Sequence, residues 1–119
     1  MDQKVKIALD KADGLLLKAK EELYKPEEDI VPYSVCQNAY YSIINYLGVF
    51  LLEKSIEFEE STNVEDLLTN CRMIDNKFND LNLTPLYHPT KSKDVWMNLD
   101  TSKAFLSMAE NTRQIVFND

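Results

Sequence analysis

The chain has a single histidine, His88, set in the run Leu86, Tyr87, His88, Pro89, with Lys91 and Lys93 shortly after it. An imidazole beside two ammonium groups is what a general base with phosphate contacts would need, so Tyr87, His88, Lys91 and Lys93 form the candidate ligand-binding set, and His88 is the sole catalytic candidate. The plainer use of the same residues is an exposed loop histidine among solvated lysines, because nothing nearby in sequence would orient the ring. One histidine leaves no HExxH motif and no multi-histidine metal site, and paired Glu-x-x-His sets are also missing. Cys36 and Cys71 lie too far apart for CxxC spacing and read as buried thiols of a protein in the reducing cytosol. Gly14 and Gly48 stand alone inside helical patterns and make no phosphate-cradling loop. No metal and no cofactor is therefore expected. Arg72 and Arg113 read as exposed salt-bridge partners.

The elements that would position these residues are helices. With 119 residues, 45% of them hydrophobic, the chain has material for one core and a single domain over residues 1–119. Two glycines and four prolines are too few for the turns of an all-β fold. A net charge of −7 opposes binding of a DNA duplex. The first residues mix charges into apolar positions and do not read as a signal peptide.

Apolar residues at Val5, Leu9, Ala12, Leu16, Ala19 and Leu23 predict helix 1, with Gly14 expected where a neighbouring helix approaches closely. Pro26 and the acids after it break that helix, and helix 2 follows from about 29–32 to about 54. Its stretch from 30 to 52 is uncharged but interrupted by Pro32, Ser34, Gln37, Asn38, Ser42 and Asn45, which favours a buried helix over a membrane span. Thr62 and Glu65 have the spacing of a capping box, and Val64, Leu67, Cys71, Ile74, Phe78 and Leu81 extend helix 3 to the last of these. Helix 4 runs from about Asp100 or Thr101 to Phe117, with Ala104 or Phe105, Met108, Thr112 and Ile115 inward. Leu83, Leu86, Tyr87, Val95, Trp96 and Met97 populate the long connection before it and can close over the end of the fold. The expected fold is an all-α, up-and-down antiparallel four-helix bundle with a long loop between helices 3 and 4.

Helix 2 is apolar or aromatic on nearly every side, and its surplus predicts cover from a second copy. Tyr33, Tyr40, Tyr41, Ile44, Leu47 and Leu51 are the expected homodimer interface. At the same helix, the run Tyr33, Ser34, Val35, Cys36, Gln37, Asn38, Ala39, Tyr40, Tyr41, followed by apolar residues up to Leu51, Leu52 and Glu53, resembles the second helix of HEPN (higher eukaryotes and prokaryotes nucleotide-binding) domains. Ala12, Leu15, Leu16 and Ala19 are similar to that family's first helix, and Val64, Glu65, Asp66, Leu67 and Leu68 to its third. The resemblance implies a dimeric helical bundle that acts on RNA or pairs with a nucleotidyltransferase in toxin–antitoxin fashion. The family's nucleases carry an arginine followed closely by a histidine. Here the corresponding positions after Arg72 hold Lys77, Phe78 and Asn79, those after Arg113 hold Asn118 and Asp119, and those before His88 hold Leu81, Asn82 and Leu83. The family's histidine near the start of helix 3 falls at about Thr62.

The expectation is thus a non-catalytic, cytoplasmic, dimeric binding module for a nucleotide, RNA or a nucleotidyltransferase partner. The alternatives are a divergent ribonuclease using His88, or a purely structural dimerisation module.

Overall fold

Asp2 starts the first helix by accepting a hydrogen bond from the Lys4 amide at 2.8 Å, a side-chain cap for one of the amides a helix start leaves unpaired. The computed structural model describes residues 2–87 and 96–118, which are all-helical with no strand among them. Four α-helices, α1 (Gln3–Leu23), α2 (Pro32–Glu53), α3 (Val64–Ile74) and α4 (Leu99–Val116), are joined by three short 3-10 turns at Glu27–Asp29, Asn76–Asp80 and Thr84–Leu86. No helix among these residues is long and apolar enough to cross a membrane.

α1 buries Val5, Ala8, Ala12, Leu16 and Ala19, one stripe at helical spacing. Pro32 opens α2 at a position where the missing N–H costs nothing. Three contacts fix the two helices in opposite directions: Glu22 accepts from the Val31 amide at 3.0 Å, Tyr46 reaches Asp13, and Lys4 reaches Glu57 just beyond the end of α2. α2 also packs against α3 and α4, so the other helices gather around it.

Residues 42–51 are buried on every side of α2. Ile44, Leu47 and Leu51, expected at a dimer interface, are covered within the chain, with exposures of 1%, 0% and 1%. Tyr40 is buried too, edge-on to Tyr41 at 5.3 Å, and both Tyr40 and Tyr33 meet Trp96 at 5.7 and 5.3 Å. Tyr33 and Tyr41 are half-buried against the same core. The apolar surplus of residues 42–51 is covered within the chain: the other helices pack on α2, Phe78 meets Phe50 at 4.6 Å between ring centres, and Phe58 lies over Gly48.

Helix 3 is shorter than its periodicity. Asp75 adopts an extended conformation (φ −145°) that ends α3 at Ile74, and the 3-10 turn carries Phe78 onward to Leu81. Arg72 is not a surface ion-pair residue, since it wraps back to donate to the carbonyls of Phe78 (3.3 Å) and Leu81 (2.7 Å). The cap of α3 is Asn63, which accepts from the Asp66 amide at 2.8 Å, one residue after the expected Thr62. In α4, capped by Asn98, the inward residues are Ser102, Phe105, Ala109, Thr112 and Val116; Met108 and Ile115 are half-buried and Ala104 faces water. Trp96 is buried as expected, and Met97 is exposed. Val95 lies outside the described residues.

The two glycines differ in kind. A Cβ on Gly14 would meet nothing within 4 Å, contrary to the close approach expected there, whereas one on Gly48 would run into the Phe58 ring. Gly14→Ala should therefore raise stability by about 1 kcal/mol, the helix-propensity difference. Gly48→Ala should lower it by about 1–3 kcal/mol through overpacking. Chemical denaturation of the two variants against the parent checks the opposite signs.

Candidate functional site

An open groove of about 560 Å³ lies between the start of α1, the end of α2 and the segment 57–60. The helical register of α1 puts Lys4 and Lys11 seven residues apart, about two turns and roughly 10 Å along one face. Opposite them, Glu57, Glu59 and Glu60 line the second wall, while Ala8, Leu52 and Phe58 form an apolar floor. The walls are tied across: Lys4 pairs with Glu57 and Lys11 with Glu60. Both pairs are exposed, and each depends on the other side being held in place.

That placement comes from the end of α2. Ser55 sits at φ 62°, and the amides of Ser55 and Ile56 donate to the carbonyls of Leu52 and Leu51, both at 2.9 Å. A left-handed residue closing a helix end turns the chain sharply back. Phe58 then fills the notch left by Gly48, and a second cavity of about 320 Å³ lies beyond it, bordered by Leu51, Thr62 and Asn70.

Asn45 is the polar residue at the base of the groove, 2% exposed, and its amide nitrogen donates to the Tyr41 carbonyl (2.8 Å) and to Glu60 (3.3 Å). The Glu60 carboxyl is held below its ordinary value, first by the Lys11 hydrogen bond and further by Asn45, against a smaller upward push from burial. Glu57 is lowered by Lys4, whose own ammonium is raised in return.

A separate network joins three helices. The buried Tyr46 hydroxyl donates to Asp13, and Arg113 Nε donates to the same carboxylate oxygen at 3.0 Å. Burial and the Asp13 charge push the phenol above its ordinary range, so it stays a donor. Arg113 is an ion-pair residue, as expected. Burial drives the Cys36 thiol up to about 11 and Cys71 up to about 12, which keeps both as neutral hydrophobes rather than nucleophiles. Among the described residues no three His, Cys, Asp or Glu gather as metal ligands.

Of the residues expected at a site, Tyr87 is half-buried, packed against the core. His88, Lys91 and Lys93 lie outside the described residues. The groove residues Lys4, Lys11, Asn45, Glu57 and Glu60 were not singled out by motif or spacing as a site; their partners sit 15 to 53 positions apart in the chain. No family model, no curated protein and no solved structure matches this chain.

The Glu60 arrangement has a signed pH consequence. A carboxyl lowered on folding contributes stability above its unfolded pKa, near 4.5, and that contribution is lost as pH falls through the lower folded value. NMR titration should find Glu60 below 4.5 in the parent, and Lys11→Met should move it upward. An unchanged Glu60 titration in that variant would show that the pair does not form in solution.

Proposed function

We propose that this chain is a non-catalytic binding module that receives a segment of a partner protein in the groove between α1, α2 and residues 57–60. The observation that carries this is the groove itself: an apolar floor of Ala8, Leu52 and Phe58 between walls bearing ammonium groups on one side and carboxylates on the other. Grooves with an apolar base and a few placed polar groups are where proteins take up side chains of others. The net charge of −7 and the three glutamates in the groove weigh against a nucleotide or RNA as its occupant. In the architecture that goes with this reading, the four helices form an up-and-down antiparallel bundle with a long connection between α3 and α4. The resemblance of α2 to HEPN domains makes a nucleotidyltransferase the first partner class to try. Homodimerisation through Ile44, Leu47 and Leu51 is not carried forward, because it would require opening the chain's own core.

Ile7, 58% exposed at the rim, offers a test that leaves the fold alone. Peptides selected by display against the folded chain should bind Ile7→Glu about fivefold or more weakly, with the melting transition unmoved, since surface changes usually stay within about 0.5 kcal/mol. Selected peptides that ignore the substitution would refute the site. Purified chain that cleaves RNA, with the activity lost in His88→Ala, would refute the non-catalytic reading.

A further inference from the structure

Among the described residues, the carbonyl oxygen of Asn45 has no hydrogen-bond partner. Its amide nitrogen faces two acceptors, Tyr41 O and Glu60 Oε2, which fixes the orientation of the group and turns Oδ1 away from both. No described residue donates to Oδ1. No buried side-chain nitrogen or oxygen of the described residues is left unpaired, so this oxygen keeps access to space, and the space Asn45 lines is the groove. A residue only 2% exposed thus brings one acceptor with no described donor to the lining of the groove, beside the Glu60 carboxylate.

The charges around it favour one kind of visitor. Lys4 and Lys11 are matched by Glu57 and Glu60, and Glu59 makes no ion pair among the described residues of a chain of net charge −7. An acceptor amide next to carboxylates calls for a group with several N–H donors and positive charge, and a planar guanidinium can donate to Asn45 Oδ1 and to a glutamate at once. The methylene stem of such a side chain would lie on Ala8, Leu52 and Phe58. Resting on the binding-module reading above, we propose that the groove recognises an arginine side chain of a basic, amphipathic segment in a partner protein, with Asn45 Oδ1 and Glu60 as its acceptors and Glu59 as the added field.

The test uses the full chain, isotope-labelled, and a synthetic amphipathic Leu/Arg peptide, with versions in which citrulline or glutamate replaces every arginine. The Leu/Arg peptide should shift the Asn45 side-chain amide and the backbone of residues 57–60. Citrulline should weaken binding about tenfold or more, the loss expected when a charge-assisted hydrogen bond becomes neutral. Glu60→Gln in the protein should cost a similar factor, and the exposed Glu59→Gln about twofold to threefold through the field alone. If the citrulline or glutamate peptide binds the groove as tightly, arginine recognition is overturned while partner binding stands. Shifts from the Leu/Arg peptide that fall outside the groove overturn the inference as well. If none of these peptides, nor any display-selected one, moves a groove residue, both readings fall together.

Discussion

Burying a helix on nearly all sides leaves its polar side chains little recourse to water, and α2 carries three of them within the stretch 42–51. Each must find a partner inside the protein or destabilise it. Ser42 donates to the Ala12 carbonyl at 2.9 Å, Tyr46 to Asp13, and Asn45 to Tyr41 and Glu60. These partners set the register of α1 against α2 and hold the segment after α2 against the pair. The groove is therefore a by-product of satisfying α2: Asn45 draws Glu60 in, Gly48 admits Phe58, and the floor between them stays open to solvent.

The helices themselves were legible because periodicity is local. The stripe through Val5, Ala12, Leu16 and Ala19 and the uncharged run of α2 needed no tertiary information. Period and conformation part company at α3, where Phe78 and Leu81 continue a helical spacing but enter the core from a 3-10 turn beyond an extended Asp75. The same limit bears on the expected interface residues Ile44, Leu47 and Leu51, which are buried within the chain. A pattern shows that they require cover without showing that the chain's own packing buries them, with the other helices gathered around α2 and Phe58 lying over Gly48.

The candidate site was hardly visible beforehand for a related reason. Motif reasoning rewards histidine, cysteine and glycine, and it led to His88 and its lysines. The groove is made of lysine, glutamate and asparagine, the commonest surface residues, and its character arises from pairings 49 and 53 positions apart that depend on how the chain turns after Ser55. Asn45 read as one of several small polar residues on α2; its role follows only from which of its two amide atoms is spoken for.

The Asp13–Arg113 pair closes across 100 residues of chain, and α4 is synthesised after α1, α2 and α3. A chain emerging from the ribosome can form the α1–α2 hairpin early, but the side of α2 that α4 covers stays bare until residues 99–116 arrive. The hairpin is then an apolar, half-finished surface during translation, the kind of species that aggregates or engages chaperones. Truncation within α4 would make that transient state permanent, so lesions near its end are expected to act on cellular abundance before they act on binding.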